Sequence, residues 1–375
     1  MKTLARRSEA TAADDLLPSA TPLQLIDADG HRGDNPGSLR LPGPDVLVEL
    51  HRRMVLGRRF DSQSTALAKQ GRLAVYPSSR GQDACQVGAA VALRRQDWLF
   101  PTYRDSMAVL TRGVPAEETL TLLRGDWHCG YDPYQYRVAP QCTPLATNTL
   151  HAVGLAYAAT LKNEDQVALA LLGDGATSEG DTHEALNFAA VWKAPVVFLV
   201  QNNGYAISVP LAKQTAAPTL AAKGIGYGIP SLLIDGNDAA AVYAAVRAGV
   251  ARAAAGEGPT LIEALTYRIE AHTNADDAAR YRDDDEVKAW LDRDPLCRME
   301  TYLRGQGLLD DADLARFGAE AEQLAADVRT AMSGDATADP SELFAHVYAR
   351  PTPALAAQRE FLLAELADSS EGRTA

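Results

Sequence analysis

Apolar residues in the middle of the chain fall in short continuous runs, over 167–172, 196–200, 231–234 and 260–266. Strands buried on both faces read this way, whereas strands with one wet face alternate. Between the runs, 182–192 and 238–255 carry helical spacing. That order predicts an α/β fold with a parallel sheet. Upstream, Val46, Leu47, Val48, Leu50, Met54 and Val55 predict a helix from Asp45, and the Ala- and Gly-rich 83–93 a second one whose small residues allow close packing. Beyond Asp284 the pattern is mainly helical, with helices over 311–332 and 353–366 and a loop over 333–339. Residues 1–44 mix Pro, Gly and charge with one apolar run at 23–26 and are expected as an N-terminal arm, partly extended or disordered. The expected organisation is this arm, an α/β domain over 45–305 and a helical C-terminal region over 306–375.

Composition narrows the partners. Of 375 residues, 46% are hydrophobic and 23% charged, a globular balance with material for a large core. Thirty-six Lys and Arg against 49 Asp and Glu leave a formal charge of −13, which disfavours nucleic acid and anionic membranes. No apolar run approaches a bilayer span, and the first residues lack a signal-peptide core, so a cytoplasmic protein acting on small molecules and proteins is expected. Cys85, Cys129, Cys142 and Cys297 show no CxxC spacing and are expected as free thiols.

The chemistry concentrates in Gly173-Asp174-Gly175-Ala176-Thr177-Ser178-Glu179-Gly180, between a strand and a helix, and in Asn202-Asn203-Gly204-Tyr205 after the next strand. A parallel crossover places both strand exits on one sheet edge, where open α/β folds bind ligands. A carboxylate, an amide oxygen and backbone carbonyls there are hard ligands suited to Mg²⁺ that also holds phosphate oxygens. A helix starting near Thr177 points free N–H groups at the same edge, and Gly173 and Gly175 allow close approach. Metal plus diphosphate satisfies both. Taken alone, Gly-x-Gly is only a tight turn; Ser178 stands where a dinucleotide fingerprint needs its third glycine, and no P-loop sequence occurs.

The joint pattern of Gly-Asp-Gly and Asn-Asn, with QGRLAVYPSSRGQDACQVGAA, DWLFPTYRD, APQCTPLATNTLHAVG, FLVQNNGYAISVPLAKQTAA, GPTLIEALTYRIEAHTNADDAARYR and LFAHVYARPTPALAAQ, resembles the alpha subunit of the thiamin diphosphate-dependent 2-oxo acid dehydrogenases over roughly 45–360. The resemblance implies a parallel-sheet thiamin diphosphate-binding fold and assigns roles. Asp174, Asn203 and the Tyr205 carbonyl would hold Mg²⁺; Gly175, Ala176, Tyr103 and Arg104 would meet the diphosphate; Thr143 and Leu145 would lie beside the aminopyrimidine. Cys142, Pro144, Thr147 and Asn148 would form a K⁺ site, and His272 would contact the diphosphate and assist acyl transfer to lipoamide. Gln201 occupies a diphosphate position that is Arg in some relatives, and Asn148 one that often holds a longer amide. Thr102 and Val75 stand at pocket positions filled by larger residues in animal relatives, and Thr273 and Asp283 where those relatives carry regulatory serines. His183 reads as a surface or capping residue, His151 as near the start of a helix, and His31, His51, His128 and His346 as structural or exposed.

The same resemblance implies decarboxylation on the bound cofactor, a beta subunit that supplies the activating glutamate in an α₂β₂ heterotetramer, and a lipoylated dihydrolipoyl acyltransferase as acceptor. The tail LFAHVYARPTPALAAQREFL favours branched-chain 2-oxo acids, with pyruvate or acetoin as the alternative substrate. A non-catalytic scaffold subunit of the same fold is the reading from another class.

Overall fold

A computed structural model describes residues 16–334 and 339–371. In chain order the strands are β1 (Trp98–Phe100), β2 (Ala168–Gly173), β3 (Val196–Asn202), β4 (Tyr205–Ala206), β5 (Val209–Pro210), β6 (Ser231–Asp235) and β7 (Thr260–Leu265). Five form one parallel sheet in the order β1-β2-β3-β7-β6, and β4 with β5 makes a small antiparallel hairpin beside it. This is the α/β parallel-sheet fold expected from the sequence.

The strand runs are continuous because both faces are covered. Leu169, Leu171, Val197, Leu199, Ile262 and Ala264 join one core with helices Pro44–Lys69, Asp83–Ala92 and Ala239–Ala254. Their neighbours Ala168, Ala170, Leu172, Val196, Phe198 and Val200 join a second core with Thr147–Lys162 and Gly180–Trp192. The period of two in each strand thus sorts residues between two cores.

The described part of the N-terminal arm lies against the domain. Within 16–44, Leu23, Leu25, Ile26 and Leu39 are buried, and Leu23 forms a parallel bridge to Ile234 on the sheet edge. Asp238, the N-cap of Ala239–Ala254, accepts from Ala240 N and Ala241 N with one oxygen and from Leu25 N and Ile26 N with the other. One buried carboxylate therefore caps a helix and anchors the segment, which is extended and ordered here; residues 1–15 lie outside the described residues. At the other end, helix Asp311–Ala331 packs along Pro44–Lys69 through Phe317 and Val328, with Arg52–Glu320 and Arg59–Glu322 ion pairs at its side. The expected 333–339 loop lies partly outside the described residues. Helix Pro353–Glu371 follows, with Phe361 and Leu366 exposed.

One close approach brings the front of the sheet together. Gly81 has φ +89°, and a Cβ there would lie 1.9 Å from the Tyr267 carbonyl oxygen, because residues 80–81 run against the segment leaving β7. Both the left-handed backbone and the contact exclude a side chain. Gly81→Ala is expected to lower unfolding free energy by about 3 kcal/mol or more, read from denaturant midpoints at unchanged slope.

Candidate functional site

The carboxyl ends of β1, β2, β3 and β7 open on a cavity of about 200 Å³. Asp174 follows β2 directly and Asn203 follows β3; the strands run in register with Gly173 beside Gln201. The two residues meet at this edge, both lining the same cavity. Asp174 is 1% exposed, and burial raises its carboxyl above the ordinary range, partly opposed by a 2.7 Å bond from Gln214 Nε2 and by the Arg268 charge. Gln214 Oε1 is a buried acceptor with no donor among the described residues. A desolvated carboxylate beside an unpartnered amide oxygen is a place where a hard cation lowers the energy.

Asn203 Nδ2 donates to Gln82 Oε1 (3.0 Å), leaving Oδ1 to accept from Tyr205 N (3.2 Å). The Tyr205 ring points away, its hydroxyl bonded to Glu286, while its carbonyl faces Arg268 Nη1 at 3.4 Å. Gly175 and Ala176 form the cavity wall, and a Cβ on Gly175 would lie 2.7 Å from Ala206 Cβ in the hairpin. Glycine is what lets the turn pass beneath β4.

Across the cavity, Arg104 Nη1 donates to Ser78 O (3.0 Å), and Nη2 to the Nδ1 (3.0 Å) and carbonyl (2.9 Å) of His272. A guanidinium only donates, so His272 Nδ1 carries the lone pair and Nε2 the proton. Burial, then the Arg104 and Arg268 charges, lower the His272 pKa to about 4, so the imidazole is neutral near pH 7. Tyr103 packs its ring edge against His272.

The remaining expected residues divide. Leu145 is 41% exposed and projects into the cavity, whereas Thr143 is exposed and is not among the residues lining it. Gln201 lines it, but its amide is committed internally, accepting from Gln82 Nε2 (2.8 Å) and donating to Asp105 Oδ1 (2.6 Å). The Cys142 carbonyl accepts from Tyr103 N, and the Pro144 carbonyl lies 3.2 Å from Cys142 Sγ. Thr147 Oγ1 faces Asp181, and Asn148 Nδ2 ties the ends of β1 and β2 by donating to Phe100 O and Leu171 O. Thr102 is on the cavity wall; Val75 instead packs with Phe60, Leu67 and Leu123. Asp283 caps helix Asp284–Leu291. His183 bonds the Tyr227 hydroxyl at the surface, and His51 is buried against Phe317.

Gln82, Gln214 and Arg268 escaped the sequence reading. Arg268 is 1% exposed; Nη2 donates to Ile207 O and the Tyr281 hydroxyl, and Nε has no partner among the described residues. Its signal was position: an arginine three residues past the end of a buried strand, on the edge already marked by Asp174. Burial and the neighbouring Arg104 charge both press against its cationic form. Two desolvated guanidiniums near one cavity attract a polyanion with oxygens to chelate.

A family model described as dehydrogenase E1 component matches residues 51–340. The chain is 49% identical, over 92% of its length and 94% of the relative's, to the 3-methyl-2-oxobutanoate dehydrogenase subunit alpha of Mycobacterium tuberculosis. It is 43% identical to the pyruvate dehydrogenase E1 component subunit alpha of Staphylococcus aureus, over 71% of this chain and 72% of that one.

Proposed function

Because the chain belongs to the dehydrogenase E1 component family, we propose that it is the alpha subunit of a thiamin diphosphate-dependent 2-oxo acid dehydrogenase, decarboxylating branched-chain 2-oxo acids such as 3-methyl-2-oxobutanoate. The acyl group passes to the lipoyl group of a dihydrolipoyl acyltransferase. The observation that carries this reading is the convergence of Asp174 and Asn203, from two adjacent strand exits, on one cavity with the Arg104–His272 pair. The longer and closer of the two likenesses favours the branched-chain substrate over pyruvate.

Thiamin diphosphate, when bound, supplies the electron sink for decarboxylation. The chain's own residues bind and orient. The unpaired Gln214 oxygen beside buried Asp174 fits Mg²⁺, which Asp174, the Asn203 amide oxygen and the Tyr205 carbonyl would hold; Arg268 would then release that carbonyl. Arg104, with backbone at Gly175 and Ala176, would bind the diphosphate. His272 would present Nε2–H as a donor, since Arg104 occupies Nδ1. A potassium ion at Cys142, Pro144, Thr147 and Asn148 belongs to the same proposal, supported by Ala146, whose φ of +66° folds that loop tightly. The proposed cofactor-binding unit is 45–305, followed by a C-terminal region over 306–375 that is mainly helical among its described residues, and the proposed location is cytoplasmic. Among the described residues no helix is long and apolar enough to cross a membrane.

This sheet supplies the diphosphate-binding half of an active site, and the activating glutamate comes from the beta subunit. Co-expression with that subunit, followed by steady-state assay, tests the assignment. The pair is expected to turn over 3-methyl-2-oxobutanoate with kcat/KM about tenfold or more above that for pyruvate, and the single chain to turn over neither. Full activity of the single chain, or preference for pyruvate, would contradict it.

A further inference from the structure

Asp61 lies on helix Pro44–Lys69 behind the site and is not among the residues lining the cavity, yet it is only 3% exposed. Its Oδ1 accepts from the Tyr76 hydroxyl (2.9 Å) and Ser79 N (2.7 Å), and its Oδ2 from the Ser78 hydroxyl (2.7 Å). All three donors belong to residues 76–79, a stretch in neither helix nor strand, so no ladder fixes its backbone. That stretch clamps Arg104: Ser78 O accepts from Nη1 (3.0 Å), and the Ser79 hydroxyl donates to the Arg104 carbonyl (2.6 Å). Arg104 in turn holds His272 by two bonds.

We propose that Asp61 is a positioning residue for the reaction, fixing residues 76–79 and thereby the aim of Arg104 and, through it, of His272. A buried carboxylate met only by neutral donors is a costly way to hold a fold together, and an apolar side chain of similar volume would serve packing as well or better. What an apolar residue cannot do is orient three polar groups of an irregular segment at once. Burial holds the Asp61 carboxyl up near 6, so it remains mostly ionised near pH 7, the form that accepts all three bonds.

The inference rests on the proposed function, and the test separates the two. In the assembled α/β enzyme, Asp61→Asn keeps size while replacing an acceptor oxygen by a donor facing Ser78. The dissociation constant for thiamin diphosphate with Mg²⁺ is measured by titration calorimetry. Turnover is followed both with an artificial electron acceptor and with a lipoyl domain. The expected result is about tenfold weaker cofactor binding and about tenfold slower acylation of the lipoyl domain, with KM for the 2-oxo acid within about twofold. A role confined to the fold would leave the cofactor-saturated rates of the folded enzyme unchanged. Tyr76→Phe and Ser78→Ala each remove one bond and are expected to give smaller changes of the same kind, so they decide the matter if Asp61→Asn does not fold. Wild-type affinity and rates in folded Asp61→Asn, or in both single-bond variants, would overturn the inference alone. Absence of cofactor binding by the unmodified enzyme would overturn the functional reading and this inference with it.

Discussion

Asp174→Asn is expected to reduce kcat/KM of the α/β enzyme by about 1000-fold or more, roughly 4 kcal/mol of lost transition-state stabilisation, while leaving the unliganded chain at least as stable as before. Two consequences of the same burial point in opposite directions. The carboxylate is desolvated and its pKa raised, so the unliganded fold carries an unfavourable charge that an amide removes. Gln214 Nε2 can still donate to the amide oxygen, so the local bond persists. If Asp174 holds Mg²⁺ as proposed, the same negative charge would be the one protein charge on the metal, and its loss would not be made up by Asn203 or a carbonyl. Thermal unfolding with and without Mg²⁺ plus thiamin diphosphate reads both effects. The variant's unliganded midpoint is expected to equal or exceed the wild-type one, and the ligand-induced rise to vanish. A variant that retains the rise would show that Asp174 does not hold the metal.

The parts of the fold that could be read in the sequence are those where one physical signal dominates. The runs 167–172 and 196–200 are apolar because helices cover both faces, and the structure places them as β2 and β3. Strand β1 spans only Trp98–Phe100, too short for periodicity to register, and half of the residues that helix Thr147–Lys162 buries are alanines, too small to mark an apolar stripe. What holds the described part of the arm, 16–44, was not legible for a related reason: it is secured by Asp238, more than 200 residues away, and no local pattern reports a bond of that span.

The candidate site divides in the same way. Asp174 and Asn203 stand out because each directly follows a buried strand, and crossover geometry brings strand exits together. Gln201 illustrates the limit: its place at a strand end marks it as a ligand-facing residue, yet the side chain is consumed by Gln82 and Asp105. Gln82, Gln214 and Arg268 reach the cavity from the start of a helix, a turn and a loop whose mutual placement is a tertiary fact. Asp61 is further removed still, lying behind the residues that line the cavity.

Arg104→Ala is expected to have the second largest effect, because one guanidinium performs two tasks. In the proposed function it faces the diphosphate, and it fixes His272 by bonding both Nδ1 and the carbonyl. Cofactor affinity in the α/β enzyme is expected to fall about 100-fold or more, the scale for losing a charge-assisted donor from a desolvated site. Arg104→Lys would recover part of it, since the charge remains and the fork is lost. The imidazole offers a separate readout. Its pKa of about 4 follows from burial first and the Arg104 charge second, so removing Arg104 is expected to raise it toward 6.5, measurable by NMR titration of the unliganded chain. The linkage has a definite sign. A histidine whose folded pKa is depressed takes up its proton more readily when unfolded, so its contribution to stability is present above pH 6.5 and declines as pH falls toward 4. In Arg104→Ala that acid-side decline is expected to shrink, because folded and unfolded values converge. An unchanged His272 titration in folded Arg104→Ala would show that the ring is governed by burial and Arg268 alone, and that Arg104 serves only the diphosphate.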